Sequence, residues 1–210
     1  MQVKICGITR LDDALAAVDA GADLLGFNFY PPSPRYLEPG LCAQIVAKLP
    51  KRVLSVGVFV NPRLKTVRAI LSECGLDLAQ LCGDEPPELL AALGEQAFKV
   101  LHPANSQELD TALENYPARS GSPAWLVDAY RPGEFGGTGR KADWGLAFNL
   151  ARRAPILLAG GLTPENVASA VEQVQPWGVD VASGVESSPS RKDPARMQAF
   201  VAAARSVVSS

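Results

Sequence analysis

Two stretches of the chain set reactive side chains at the ends of apolar runs. KICGITR (4–10) places Lys4 and Cys6 two positions apart, and AWLVDA (124–129) closes its apolar run on Asp128. Side chains two apart share one face of a β-strand. An ammonium on the same face as a thiol favours the thiolate if the two come close. Two glycine-bearing turns, AGGLTPEN (159–166) and ASGVESS (182–188), add a different capability. Their glycines let backbone N–H groups approach an anion, and a helix opening after Thr163 would aim its positive end at the same region. The two turns are therefore a candidate phosphate site.

Further polar residues interrupt apolar runs in the same way. Asn28 shares a face with Gly26, Gln80 with Cys82, Asp128 with Leu126, and Asp180 with Ala182. Buried without partners, such groups cost several kcal/mol each. Lys4 and Asp180 as a buried ion pair, and Gln80 as a satisfied core amide, are the structural explanations. A cluster of polar groups at one end of five strands instead fits a wet, substrate-binding mouth. Of the four cysteines, Cys42 shares a helical stripe with Ile45, Val46 and Leu49, and Cys74 lies in line with Val67 and Ile70, so both read as core. Cys6 and Cys82 remain, and a redox pair or metal site between them is disfavoured because strands one and four occupy different sides of a closed sheet. No metal is expected.

The elements that carry these residues alternate from end to end. Strands are expected at 3–8, 24–29, 54–60, 78–83, 97–102, 124–129, 155–161 and 179–185, each followed by a helical pattern. Thr9, Asn61, Thr163 and Asp193 are candidate helix caps, the last two followed by Pro at the first helical position. Gly21 and Gly75 stand where helices stop. Eight strand-helix units in about 200 residues, with no linker, point to an α/β fold: one single-domain (β/α)8 TIM barrel spanning 1–210. An open doubly wound sheet usually carries a glycine-rich turn after its first strand, and here that position reads CGITR.

Composition removes other classes. The 210 residues are 47% hydrophobic and carry 20 basic and 22 acidic side chains, for a net charge of −2. The signs are mixed, so no nucleic-acid or membrane partner is expected. No signal segment or membrane-length apolar run is evident, and the reduced-thiol reading suits the cytoplasm. A monomer and a homodimer are both compatible with the sequence.

Over nearly the whole chain, KICGIT, GFNFYPPSPRYL, VGVFVN, QLCGDE, LVDAYRPGEFGGTG, Asp143-Trp144, AGGLTPENV and GVDVASGVE resemble the phosphoribosylanthranilate isomerases of tryptophan biosynthesis. The resemblance implies conversion of N-(5-phosphoribosyl)anthranilate to its 1-deoxyribulose isomer without a cofactor. It implies Cys6 as general base, Asp128 as general acid and Arg35 on the anthranilate carboxylate. Gly160, Gly161, Ser183 and Gly184 would hold the phosphate, Lys4 and Asp180 would face the substrate, and the loop Gly136, Gly137, Thr138 and Gly139 would close over it. Cys82 departs from the pattern QLHG, and Ser190 follows Pro189 where the family usually has Gly. His102 is then the only histidine, and it reads as structural or solvent-facing.

In such an Amadori rearrangement an acid protonates the ring oxygen, the ring opens to an iminium, and a base removes the C2′ proton. An ordinary Asp, with pKa about 3.9, is protonated only about one part in a thousand at pH 7, and an ordinary Cys near 8.5 is a few per cent thiolate. The expectation is that Lys4 lowers Cys6. A related barrel with another phosphosugar specificity, or a noncatalytic sugar-phosphate binder, is the competing reading.

Overall fold

The computed structural model describes residues 1–128 and 144–207, so the expected lid residues Gly136, Gly137, Thr138 and Gly139 lie outside the described residues. Eight strands form a closed parallel barrel: β1 Gln2–Cys6, β2 Leu24–Asn28, β3 Leu54–Phe59, β4 Leu78–Leu81, β5 Ala97–Leu101, β6 Trp125–Asp128, β7 Ile156–Ala159 and β8 Gly178–Val181. Closure is made by β8 pairing back onto β1, with Lys4 opposite Asp180. Helices α1 Leu11–Asp19, α2 Pro39–Val46, α3 Leu64–Cys74, α4 Pro87–Leu93, α5 Ser106–Asn115, α6 Gly145–Ala151, α7 Val167–Val174 and α8 Pro194–Ser206 alternate with them. A short antiparallel hairpin, β9 Glu186–Ser188 and β10 Arg191–Lys192, follows β8 and is not evident from the sequence.

Strand alternation sorts the apolar residues into two layers. Val3, Ile5, Phe27, Ala79, Leu81, Val127 and Val179 point outward and join the helices in the larger core. Leu24, Val56, Leu78, Phe98, Val100, Leu126, Leu157 and Ala159 fill the barrel interior. Residues two positions beyond these interior side chains, at the strand C-termini, form the mouth. The polar exceptions therefore converge there.

Cap assignments divide. Asp193 caps α8, accepting from the Ala195 and Arg196 N–H groups with Pro194 at the first position, and Gly75 ends α3 in the left-handed conformation. Thr9 is not a cap: α1 begins after Arg10, and the Thr9 hydroxyl donates to the Ser190 carbonyl. Asn61 adopts φ 49 and donates its N–H to Glu85, while α3 starts after Arg63. Thr163 precedes α7 by a turn; Asn166 stands at the N-cap position, and its side chain accepts from the Thr163 N–H and donates to the Gly161 carbonyl.

Candidate active site

Lys4 and Cys6 project into the barrel from β1, as their shared face requires. Lys4 is fully buried, and its Nζ donates to Asp180 Oδ1 at 2.7 Å from the neighbouring β8. Burial works to lower the Lys4 pKa, but the Asp180 charge and hydrogen bond outweigh it and hold the ammonium above the usual range. Cys6 pairs in register with Gly26 of β2. A Cβ at Gly26 would lie 2.8 Å from Cys6 Sγ and 3.1 Å from Lys4 Nζ. Glycine at 26 thus makes the space that the thiol and ammonium share.

Lys4 acts on Cys6 in the expected direction, but the expected net lowering of the thiol is corrected. Burial is the largest influence on the thiol and raises its pKa above the ordinary value; Lys4 opposes this, and Asp180 adds to it. Much of the ammonium's field is already committed to the Asp180 carboxylate at 2.7 Å. In the substrate-free protein Cys6 is a thiol at neutral pH.

Arg35 lies against Gly7, the residue that follows Cys6, and Gly7 has φ 77 with no room for a Cβ beneath the arginine side chain. Its guanidinium donates two hydrogen bonds to Glu186, at 2.8 and 2.7 Å. Lys192 donates to the same carboxylate at 2.9 Å and to the Ala182 carbonyl. Burial pushes the Glu186 carboxyl up, but the hydrogen bonds from Arg35 and Lys192 prevail and hold it below its usual range. Two cations therefore share one carboxylate, and this edge of the mouth keeps a net positive charge.

The opposite side of the mouth carries Asp128, at the end of β6 and about one-third exposed. His102, after β5 on the same face as Phe98 and Val100, brings Nδ1 to 4.0 Å from Asp128 Oδ2. His102 is exposed, in keeping with the solvent-facing reading, and it also stands beside the carboxyl. Lys99, one strand position earlier than Val100, points outward and pairs with buried Glu85 at 3.0 Å.

From β4, Gln80 Nε2 donates to Cys82 Sγ at 3.3 Å, leaving Gln80 Oε1 buried without a partner among the described residues. Burial pushes Cys82 up to about 12, and it senses the charges of both Cys6 and Lys4. The two thiols face one mouth from strands three positions apart around the barrel. Among the described residues no group of His, Cys, Asp or Glu is arranged to hold a metal ion. Cys42 and Cys74 are core residues, as expected.

A cavity of about 410 Å³ is lined by Asp128, Asp180, Gly160, Gly161, Ser183 and Gly184, among others. The carboxyl, the ion-pair partner of Lys4 and both glycine turns thus share one space. Gly160 and Gly161 have φ 106 and 65, values that favour glycine. Gly184 packs its α-carbon against the Leu162 carbonyl so closely that no Cβ fits, which binds the second turn to the first. Ser183–Val185 is a single 3₁₀ turn. Its first N–H groups fall outside the i→i+3 ladder.

Sequence reasoning missed four contributors: Gly26, Glu186, Lys192 and His102. The period-two pattern Phe98, Val100, His102 could have revealed the last. Glu186 and Lys192 depend on a hairpin register that no local pattern announces.

A closed (β/α)8 barrel with acid, thiol and paired glycine turns around its C-terminal mouth defines a barrel enzyme of the kind that handles small phosphorylated substrates. The chain matches the family of N-(5′-phosphoribosyl)anthranilate isomerases over residues 3–203. A relative from Geobacter metallireducens bearing that name is 45% identical over 205 residues, covering 98% of this chain and 99% of its own. Another, from Citrifermentans bemidjiense, is 46% identical over 206 residues, covering 98% of both chains. The crystal structure of the Thermotoga maritima enzyme superposes with a TM-score of 0.87 at 39% identity, covering 98% of this chain and 99% of that one. A further structure of the family, in complex with reduced 1-(o-carboxyphenylamino)-1-deoxyribulose 5-phosphate, gives a TM-score of 0.84 at 38% identity, covering 98% and 99%. The protein belongs to the phosphoribosylanthranilate isomerase family and is an isomerase. Among the described residues no helix is long and apolar enough to cross a membrane.

Proposed function

We propose that this chain converts N-(5-phosphoribosyl)anthranilate to 1-(2-carboxyphenylamino)-1-deoxyribulose 5-phosphate, a step of tryptophan biosynthesis. The observation that carries the reading is the single cavity in which Asp128 and Asp180 face the two glycine turns. The phosphate sits on the backbone N–H groups of Gly160, Gly161, Ser183 and Gly184, and the glycine conformations there support the role. The far end of the substrate, a carboxylate on an aromatic ring, is received by Arg35 at the positively charged edge, exchanging part of its contact with Glu186.

With both ends held, the ribose lies between Asp128 and Cys6. Asp128 gives its proton to the ring oxygen; the C1′–O bond breaks toward oxygen, and the substrate nitrogen supplies the electrons of the iminium. Cys6 then removes the C2′ proton, and the enolamine tautomerises to the ketone. The thiol is held protonated in the empty site by burial. A cationic iminium beside Cys6 pulls the thiol toward its thiolate, so the base is strengthened when its work begins. Lys4, held by Asp180, adds to that field.

The test is direct. Purified protein given phosphoribosylanthranilate should consume it with loss of anthranilate fluorescence, and Cys6→Ala and Asp128→Asn should each abolish most turnover while the substrate still binds. Binding without turnover by the unaltered protein would leave a sugar-phosphate binder instead.

A further inference from the structure

The rearrangement removes one proton from the acid and adds one to the base in every cycle, so the acid must be reloaded before the next substrate opens. Imidazole is the side chain suited to passing protons between water and a reacting group around neutral pH. His102 is the imidazole in question: it follows β5 on the inward face, its Nδ1 is 4.0 Å from Asp128 Oδ2, and 53% of its side chain is exposed to solvent. We propose that His102 is the proton relay that supplies Asp128 with the proton it passes to the ring oxygen, an inference that rests on Asp128 being the acid.

In the step, the proton on Asp128 moves to the ring oxygen as the C1′–O bond breaks, and an imidazolium proton of His102 moves to the vacated carboxylate. Cys6 gains the C2′ proton. The neutral imidazole then takes a proton from water, the thiol returns one to solvent, and the site is reset with atoms and charge balanced. A separation of 4.0 Å is one bridging water, or a small rotation of the half-exposed ring, away from a hydrogen bond. Among the described residues, the other titratable groups placed around the mouth are Cys82 from β4, the paired Lys4 and Asp180 with Cys6 beside them, and Arg35, Glu186 and Lys192 at the far edge. Lys99 on the same strand as His102 is turned outward to Glu85. The carboxyl that the histidine stands beside is Asp128.

The experiment measures kcat and KM against pH for the unaltered protein, His102→Gln and Asp128→Asn, each with and without added imidazole. For His102→Gln the expected result is a kcat lower by about 10- to 100-fold near neutral pH, within the range of proton-transfer contributions. Its KM stays within about twofold, because an interaction used only in the chemical step does not change ground-state binding. Imidazole in solution restores much of the loss. If Asp128→Asn is inactive while His102→Gln keeps its kcat and ignores imidazole, the relay is overturned and the acid stands. A kcat loss that imidazole does not repair assigns His102 a structural role and also overturns it. Full activity in Asp128→Asn overturns the acid assignment and the relay with it.

Discussion

Burial and a nearby cation pull the Cys6 thiol in opposite directions, and burial wins. The consequence is kinetic: below a raised pKa the thiolate fraction grows about tenfold per pH unit. The base-limited kcat should therefore rise with pH through neutrality and beyond about pH 8.5, where an ordinary cysteine levels off. A plateau by pH 7.5 would mean that the bound substrate has already ionised the thiol. Cys6→Ala should lose about 10²- to 10⁴-fold in kcat with little change in KM. At Arg35 the opposite split is expected. Lys cannot reproduce two parallel hydrogen bonds to a planar carboxylate, so Arg35→Lys should raise KM about tenfold or more and leave kcat within a few-fold. An unchanged KM would remove Arg35 from the binding site. The face shared by Lys4 and Cys6 was legible because β-alternation is local. The pKa balance was not, because burial of the thiol, the largest influence on it, follows only from closure of the barrel.

At the scale of elements, the strands were readable because each is a short apolar run with a turn signal after it. Their ends were read too long, by up to four residues at β8, where Ala182-Ser183-Gly184-Val185 looks like strand but turns to wrap an anion site. Two positions test how elements hold the chemistry. Gly26 gives β2 the space for β1's side chains, so Gly26→Ala should displace Cys6 and Lys4. Forcing even one methyl into such a contact costs about 1–3 kcal/mol. The thermal midpoint should drop and kcat should fall more than KM changes. A variant with normal kcat would show that the thiol tolerates displacement. Ser190 follows Pro189 in the β9–β10 hairpin at φ 66, where glycine is unstrained. Its hydroxyl nevertheless donates to the Pro34 carbonyl beside Arg35, and its carbonyl accepts from Thr9. Removing about 1–2 kcal/mol of left-handed strain is set against losing a hydrogen bond of about 1 kcal/mol. Ser190→Gly should therefore change stability by less than about 1 kcal/mol yet loosen the Arg35 loop and raise KM. The stability and binding readouts separate the two effects.

The whole molecule links the two ends of the sequence, and its stability should respond to that closure and to what the barrel buries. Lys4 meets Asp180, Thr9 meets Ser190, and Arg205 of α8 reaches Asp23 at the entry to β2. None of these contacts is written in local periodicity; they follow from eight units closing a ring. The same burial that shapes the core raises all four thiols: Cys6, Cys42, Cys74 and Cys82 are each held above the usual cysteine value, with desolvation the leading cause. Unfolded cysteines ionise near 8.5. Between that value and the raised native values, the unfolded chain has released protons that the folded chain keeps. Stability then falls as pH rises, since unfolding is favoured wherever the native state binds more protons. Below about pH 8 the thiols are protonated in both states and contribute no slope. From about pH 8.5 to 9.5, beneath the range where lysines and tyrosines titrate, urea midpoints should decline steadily. Each thiol contributes a slope approaching about 1.4 kcal/mol per pH unit once its unfolded form is fully ionised. The double variant Cys42→Ala, Cys74→Ala removes two of the four contributors without touching the mouth. It should begin less stable, because small cavities are left between α2 and α3, but it should decline with about half the slope. An undiminished slope would place the alkaline sensitivity elsewhere than in the buried sulfurs.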